Sequence, residues 1–532
     1  MKHFFIAAIL LSSSVAFSQS KKFNFKLGSE YELPRRSEDL AFFGNDKDGI
    51  VNLSLKKDEL NIVRFNPKTL GQTDEKTIVL PDATRNLNSE IVVDFGTDYF
   101  WIHSDWDKKE ETENLYYDKI DVVSGKITVA NQKMLQSTKI AGVMAATGFY
   151  SYKTVGKYKF DFNADTTMML VSYRLVPEEK NDRKNYDKIG IHVYDRTMKK
   201  LWGGEFTMPY TEAVMDNSDF SIDYQGNAYL LAKVYDSEKR KERDKETGKP
   251  AYHYEVLKFT KDSKKIIQAN IDLDDYFIRE SSLIENTKHE MIIACTYSKK
   301  SKSNGTDGVF LAMLDQEGKV KKYMDGYYEF PLEELQKFET ARKRRKMEKK
   351  DDYEAPNIRV RNVAVEADGS VFIACEEYHM EVVTNYNGRY TTTTYYYYYD
   401  DIIGSKIDSK GKFLWVRKIP KRQMGTNRYA TLGFKLVTDP SGYYFLYLDN
   451  KKNIDLPDDE APKRHEDGFG GQVVVSKIDN TGNVSKEIVF DTREEDIMIF
   501  PRDFDKINKN QFIGRAKVKR GNYMPVLITV NE

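Results

Sequence analysis

Arginines recur close to the starts of predicted strands. These arginines are Arg85, Arg279, Arg359, Arg361, Arg428 and Arg502. The planar guanidinium group donates paired hydrogen bonds to carboxylates and phosphates. All but the first are our candidate ligand-binding residues, for an anionic ligand. They do not share one register of the repeat described below, so residues that fold into separate structural roles are the competing interpretation.

A tyrosine-rich stretch between His379 and Tyr399 contains the second set of candidates. Asn387-Gly388 lies between two long extended runs, a strong signal for a β-hairpin. Five consecutive tyrosines in a strand must face both of its sides. Exposed ones offer a large area with a polar tip, suited to sugar rings or to a protein partner, whereas ordinary sheet packing is the alternative. The candidate partner-binding tyrosines are Tyr386, Tyr390, Tyr395, Tyr397 and Tyr399.

The segment 331–349 predicts a short helical insertion. It begins with proline and glutamates and ends with a basic run, which suits the dipole of a helix. Leu332, Leu335 and Phe338 are expected to form its apolar side. The segment is either a lid packed on its own domain or a docking arm for an acidic partner. In the second case Arg344 and Arg345 would contact the partner.

Local motifs for catalysis or metal binding are not found in the sequence. The histidines downstream of residue 18 are scattered, and no HExxH, glycine-rich phosphate loop or G-x-S-x-G elbow occurs. We therefore assign no catalytic residue, metal ligand or cofactor. The balanced formal charge of zero argues against a broad nucleic-acid surface, which needs a basic excess.

The first 18 residues predict a signal peptide. A short charged start precedes an apolar stretch from Phe4 to Phe17, too short for a normal membrane span, followed by small residues. No cysteine stands at the expected cleavage point, so lipid attachment is not expected. No later segment has the roughly 18 apolar residues of a spanning helix. We expect a soluble, monomeric protein, exported to the periplasm or secreted.

The elements that must position the candidates form a repeat. Eight corners rich in Gly, Asn and Asp, such as Glu366-Ala367-Asp368-Gly369, each join two extended runs. A second signature alternates with them, seven times in all, with Ile407-Asp408-Ser409-Lys410-Gly411-Lys412 as a good copy. The alternation gives units of four strands, a to d, whose b strands are apolar throughout, as strands covered on both faces are. Four-stranded units repeated around a channel indicate a β-propeller.

The sequence between residues 19 and 532 predicts one all-β domain, a propeller of eight four-stranded blades. The last unit ends with a c strand at Pro525–Val530, so its d strand must come from elsewhere. We expect Phe23–Leu27 to supply it and to close the ring without open edges. Seven blades, or two smaller propellers, are the alternatives. Cys295 and Cys375 lie in equivalent strands of neighbouring units, about 10 Å apart, too far for a disulfide.

The stretch from Asp408 to Trp415 resembles the repeat of eight-bladed quinoprotein-type propellers, which carry an Asp, a Gly-Lys and a Trp that docks between blades. Asp195 to Trp202 places a tryptophan at the same offset without the glycine. The resemblance covers one or two blades in sequence and implies the architecture. Dehydrogenases and non-catalytic outer-membrane assembly scaffolds both use this fold. No cofactor-binding residue of the family is matched.

The long insertions all fall between strands b and c or between d and a, which share one face of a propeller. The starts of the a strands, where the candidate arginines lie, open the channel on that same face. Binding residues concentrate on loops held by a rigid scaffold, although charged loops also serve solubility alone. The sequence therefore predicts a non-catalytic binding or scaffold propeller for a protein or glycan. The alternative is a hydrolase or lyase acting on an anionic glycan at the channel mouth.

Overall fold

The computed structural model describes residues 22–531, with gaps. The positions outside the description are 82, 149–150, 179–181, 272, 287, 316, 351, 387–390, 427–430, 467–469 and 519–520. The predicted signal peptide, residues 1–18, also lies outside the described residues. Among the described helices, none has the length and apolar character needed to cross a membrane.

The strands of the first half of the chain form four four-stranded sheets after the N-terminal strand β1, Phe23–Leu27. Sheet 1 consists of β2 Glu38–Asn45, β3 Gly49–Lys56, β4 Glu59–Phe65 and β5 Gln72–Val79. Sheet 2 consists of β6 Asn88–Asp94, β7 Tyr99–Asp107, β8 Thr112–Asp121 and β9 Lys126–Ser137. A separate ribbon, β10 Val143–Gly148 and β11 Ser151–Val155, precedes sheet 3, which consists of β12 Tyr158–Phe162, β13 Met168–Arg174, β14 Tyr186–Asp195 and β15 Lys200–Thr211. Sheet 4 consists of β16 Met215–Ile222, β17 Ala228–Tyr235, β18 Tyr252–Thr260 and β19 Ser263–Ile271.

The second half repeats the pattern with more insertions. Sheet 5 consists of β20 Phe277–Glu285, β21 Met291–Ser298, β23 Gly308–Leu314 and β24 Val320–Glu329, and the short β22 Gly305–Thr306 pairs outside it with β25 Ala355–Pro356. Two helices follow sheet 5, α1 Leu332–Gln336 and α2 Ala341–Glu348. Sheet 6 consists of β26 Ile358–Val365, β27 Val371–Tyr386, β28 Thr391–Ile407 and β29 Phe413–Ile419, with β30 Gln423–Gly425 added to β28. Sheet 7 consists of β31 Lys435–Asp439, β32 Gly442–Asp449, β33 Gln472–Asp479 and β34 Val484–Asp491. Sheet 8 consists of β35 Ile497–Ile499, β36 Asp505–Lys506, β37 Gln511–Val518, β38 Tyr523–Val530 and β1. Short 3₁₀ helices lie at Asp182–Lys184, Lys451–Asn453 and Pro501–Asp503.

The fold is an all-β propeller of antiparallel sheets. Eight sheets of four or five strands are formed by the described residues, and each shares a hydrophobic cluster with the sheet before it and the sheet after it. One cluster joins sheet 8 to sheet 1 through Ile513, Leu527 and Phe65. The eight sheets match the expected units. That they are the blades of one closed ring stays a prediction that these contacts support.

The N-terminal strand β1 pairs antiparallel with β38, from Phe23 opposite Val530 to Leu27 opposite Val526. Its alternation buries Phe23 and Phe25 and exposes Asn24. The two rings pack edge-on against Tyr444 and Phe490 of sheet 7. The strand thus occupies the outer position of sheet 8 that the sequence assigned to it.

The second turn signature has a specific structural basis. The carboxylate of Asp408 accepts hydrogen bonds from the backbone N–H groups of Lys410 and Lys412, at 2.9 and 2.8 Å. Gly411 adopts a φ of 86°, a left-handed conformation that favours glycine. Trp415 then donates its indole N–H to the carbonyl of Asn480 in sheet 7, at 3.2 Å. The signature therefore makes a tight corner and docks one sheet on the next.

The predicted state of the two cysteines is confirmed. Cys295 in β21 and Cys375 in β27 are both free and buried. Burial raises the pKa of the Cys375 thiol to about 12 and raises that of Cys295 still further. Both thiols therefore stay protonated and serve as small apolar side chains of the core.

Candidate functional site

The face that carries the long connections is called the loop-rich face below. It contains the connections between second and third strands, such as 236–251, and those between successive sheets, such as 330–357. The strands of each sheet alternate in direction, so both kinds of connection emerge at one end of the sheets. First strands contact each other in several pairs of successive sheets, among them β16 with β20 and β20 with β26, as the innermost strands of a propeller do.

A hairpin of sheet 6 is the most prominent structure on the loop-rich face. β27 has 16 residues and β28 has 17, whereas β26 pairs with β27 only as far as Glu377. Beyond that point residues 379–386 pair with residues 391–398, and the only other described strand at this hairpin is β30, which pairs at its base with Tyr397–Tyr399. At about 3.3 Å per residue this two-stranded ribbon, called the ribbon below, is roughly 20 Å long. The predicted long hairpin is thus confirmed in the described part of the chain.

One side of the ribbon is apolar and exposed. Met380, Val382 and Tyr395 share that side through the pairing of Val382 with Tyr395 and of Met380 with Tyr397. Their exposed fractions are 44, 49 and 46%. They are called the apolar stripe below. Large apolar side chains exposed side by side mark interaction surfaces more often than scattered single ones do.

The tyrosines of the run divide between the two sides, as alternation requires. Tyr397 and Tyr399, on the side of the stripe, are each 6% exposed and pack with Leu432 at the root of the hairpin. On the other side Tyr398 stacks on His379, with the ring centroids 4.3 Å apart. Among the described residues 395–399 of the tyrosine run, Tyr395 therefore has the most surface for a partner. Tyr386 pairs through its backbone with Thr391, and Tyr390 lies outside the described residues.

Buried charges hold the root of the hairpin. Lys421 is fully buried and its ammonium lies 2.8 Å from a carboxylate oxygen of Glu376 and 2.8 Å from the carbonyl oxygen of Tyr399. The same carboxylate group accepts a hydrogen bond from Nε of Arg361, at 2.8 Å. An ion pair this deep gains little net stability but fixes one geometry, because a displaced charge would be left unpaired. The root is therefore a rigid base for the ribbon.

The helical insertion differs from the single helix that the sequence predicts. α1 ends at Gln336 and α2 begins at Ala341, because Phe338 adopts a φ of 60° and donates its N–H to the carbonyl of Asp458 at 2.6 Å. A left-handed residue cannot continue a right-handed helix. The apolar side is also smaller than expected, since Leu335 is buried but Leu332 is exposed.

The insertion packs on its own propeller. Leu335 and Met347 belong to the cluster between sheets 5 and 6. The buried ammonium of Lys418 in β29 donates to the carbonyl oxygens of Leu335 and Lys337 at 3.1 and 2.9 Å. This agrees with the packed-lid alternative. Arg345 on α2 remains exposed and Arg344 is half-buried, so the basic side of α2 still faces outward.

Two of the candidate arginines line one cavity at the channel mouth. Arg279 in β20 and Arg361 in β26 are each the extra residue of a β-bulge, and so is Ser218 in β16. Bulges re-aim side chains and are enriched beside functional sites. The three residues line a cavity of about 400 Å³ together with the hydroxyl-bearing Tyr254.

Each candidate arginine that the structure describes also contacts groups of the protein itself. Arg359 forms an ion pair with Glu280, Arg361 binds Glu376, and Arg279 donates to the carbonyl of Lys300. Arg502 lies over the ring of Tyr399, 5.2 Å from its centroid. Arg428 lies outside the described residues. The structure therefore brings Arg279, Arg359 and Arg361 together. The ring of Tyr399 lies between Arg502 and this group, because its centroid is also 5.6 Å from the Arg361 guanidinium.

Deeper in the channel, carboxylates replace arginines. Asp161 of β12 and Asp219 of β16 line a cavity of about 560 Å³ with residues of β20 and β26. Burial, with the negative charge of Asp219 added, raises the pKa of Asp161 to about 7. Burial also raises the pKa of Asp219, although the N–H of Leu283 and the hydroxyl of Ser282 bind its carboxylate. These groups therefore supply a channel carboxyl that titrates near neutrality.

Metal binding finds no support in the described part of the chain, where no three His, Cys, Asp or Glu side chains are grouped to hold an ion. The sequence reasoning missed the charged residues that bind the candidates or hold their surroundings, chiefly Glu280, Glu376, Lys418 and Lys421. Glu280 is half-buried and the other three are buried. No local pattern marks them, since they come from different strands and meet only in the folded sheet.

Comparisons with known proteins give no family. No protein-family model matches the chain, and no curated protein matches it. Among solved structures, an uncharacterized protein of Listeria monocytogenes is 9% identical, with a TM-score of 0.34 over 77% of this chain and 85% of that one. The β-propeller domain of the Trilobed protease of Pyrococcus furiosus is 10% identical, with a TM-score of 0.33 over 83% of this chain and 94% of that domain. Prolyl oligopeptidase B of Galerina marginata is 9% identical, with a TM-score of 0.37 over 93% of this chain, which spans 55% of its length.

Proposed function

We propose that this protein is an exported, monomeric, non-catalytic binding propeller that holds a protein partner along the ribbon. The observation that carries the proposal is the apolar stripe of Met380, Val382 and Tyr395 on a ribbon fixed by a rigid, ion-paired root. An apolar surface exposed on a projecting arm is costly in water unless another surface covers it. Preorganisation at the root lowers the entropy lost on binding.

The chemistry of the stripe favours a protein over a glycan. A sugar needs hydrogen-bonding groups around an aromatic platform, whereas Met380 and Val382 offer neither. Aliphatic side chains with one tyrosine are typical of the core of a protein interface. A chain of ion pairs runs from Lys343 of α2 through Glu339 and Lys418 to Asp401 of β28, so α2 is tied to the base of the hairpin. Arg345 is an exposed cation of the same helix. The partner is accordingly expected to bear acidic residues beside an apolar centre.

Affinity capture with matched variants tests the proposal. Val382→Asp places a charge in the centre of the stripe, and Asn385→Asp places the same charge on the other side of the ribbon. We expect the tagged protein to capture a stoichiometric partner from cell-envelope extract, the first variant to lose it and the second to retain it. Capture that is equal in both variants would refute the ribbon as the interface.

A second candidate is a hydrolase or lyase acting on an anionic glycan at the channel mouth. It is favoured by the cavity that Arg279 and Arg361 line and by the Asp161 carboxyl, whose pKa of about 7 suits proton transfer. Incubation with an anionic polysaccharide tests it through new reducing ends or unsaturated products. Activity that Asp161→Asn abolishes would establish the enzyme, and absence of turnover would leave the channel as structure alone.

A further inference from the structure

A third cavity lies on the loop-rich face between sheets 1 and 2, away from the ribbon. Its volume is about 690 Å³, within the range of small-molecule sites. Leu80 and residues 83–87 of the connection between β5 and β6 cover one side. Asp105 of β7 anchors that connection by accepting the N–H of Thr84 at 3.0 Å and its hydroxyl at 2.5 Å. The cavity is thus bounded by this connection on one side and by residues of β7 and β8 on the other.

The side of β7 that faces sheet 1 changes character along the strand. Trp101 belongs to the hydrophobic cluster between the two sheets, and the residues two and four positions later are His103 and Asp105. Their neighbours across β8 are Tyr116 and Asn114. The apolar seam therefore gives way to polar and aromatic side chains at the loop-rich end, where the cavity lies.

His103 is a buried polar side chain whose hydrogen bonding a ligand would complete. It is 4% exposed, lines the cavity, and is stacked between Trp101 and Tyr116, with ring centroids 4.4 and 5.7 Å away. Neither ring nitrogen has a hydrogen-bond partner among the described residues. The Asp118 oxygen closest to its Nε2 is 3.6 Å away, too far for a hydrogen bond. Buried polar groups are nearly always bonded in native proteins.

Asn114 is a second buried polar side chain whose hydrogen bonding a ligand would complete. It is buried, it lines the same cavity, and its side-chain oxygen has no hydrogen-bond donor among the described residues. A ligand that satisfies both side chains must therefore both donate and accept hydrogen bonds. Hydroxyl groups do both.

The other residues that line the cavity indicate the chemical class of the ligand. The ring of Tyr116, which shares the His103 side of the sheet, offers flat apolar surface, and Arg85, Lys108 and Lys109 add cations to the lining. Asp105 and Asp107 of the same lining accept bonds from backbone N–H groups. We propose that this cavity binds an acidic saccharide, whose hydroxyls meet His103 and Asn114, whose C–H face meets the ring of Tyr116 and whose carboxylate meets the cations. This site is independent of the protein partner proposed for the ribbon.

Fluorescence titration with digalacturonic acid tests the proposal, with neutral cellobiose as the comparison. Trp106 lines the cavity and Trp101 stacks on His103, so an occupied site changes tryptophan emission. His103→Phe keeps the stacked ring and removes both nitrogens, and Lys108→Ala/Lys109→Ala removes two exposed cations. Asn385→Asp on the ribbon is the control and should bind the saccharide as the wild type does.

We expect saturable binding of digalacturonic acid that is weakened about tenfold or more by His103→Phe, the effect of one lost buried hydrogen bond. The double lysine variant should weaken binding about tenfold, and added salt should weaken binding to the wild type. Isothermal calorimetry repeats each titration without fluorescence, and a melting curve on the same samples confirms that each variant is folded. The inference is overturned by an unsaturable signal, by equal binding of cellobiose with no effect of the lysine variant, or by unchanged binding in His103→Phe.

Discussion

Removing the two buried phenylalanines of β1 is the most direct test of how the propeller is held together. Phe23 and Phe25 are 1 and 5% exposed and pack against Tyr444 and Phe490 of the neighbouring sheet. Truncating a buried phenylalanine to alanine costs about 3–5 kcal/mol, so the double variant Phe23→Ala/Phe25→Ala should lose about 6–10 kcal/mol if the two sites act independently. For a chain of this length the unfolding entropy is roughly 1 kcal/mol per kelvin. The melting temperature should therefore fall by about 6–9 °C.

Differential scanning calorimetry of the chain from residue 19 onward measures this shift. Asn24→Ala, on the exposed side of the same strand, is the control and should change the melting temperature by less than about 1 °C. Deleting residues 21–30 should lower it further, since the backbone pairing with β38 is lost as well. If the double variant melts with the wild type, β1 does not clasp sheet 8 and the reasoning is refuted.

Two further predictions concern buried charge. Lys421→Met removes one partner of the Glu376 carboxylate and should lower the free energy of unfolding by about 3–5 kcal/mol. The melting temperature should then fall by about 3–5 °C. Adding Glu376→Gln should recover part of this stability, and a double variant no more stable than Lys421→Met contradicts the pairing. Burial, with the charge of Asp401 added, raises the pKa of Glu377 to about 8, so the folded state holds a proton that the unfolded state releases above about pH 4.3. Its contribution to stability is therefore full below that pH and is lost as pH rises toward 8. Melting curves between pH 4 and 9 should show a smaller decline for Glu377→Gln than for the wild type, and parallel curves would rule out this role.

The sequence by itself determined the propeller class. Each turn signature places Asp and Gly where a corner needs a carboxylate cap and a left-handed residue, as Asp408 and Gly411 show. The continuous apolar runs of the b strands indicate burial on both faces, and the alternation in Phe23–Leu27 indicates one buried side. These are local properties, since they depend on residues within a few positions of each other. Periodic patterns therefore sufficed for the strands, for the free cysteines and for the long hairpin.

Tertiary structure alone decided which polar residues meet. Arg361, Glu376 and Lys421 come from three strands, and only their packing makes one buried network. The break between α1 and α2 likewise depends on the carbonyl of Asp458, over a hundred residues downstream, which binds the N–H of Phe338. His103 looked like an isolated histidine until the fold enclosed it between Trp101 and Tyr116. No regular spacing in the sequence marks side chains that meet through long-range contacts. The free energy of such a contact depends on distance in space and not on separation in sequence.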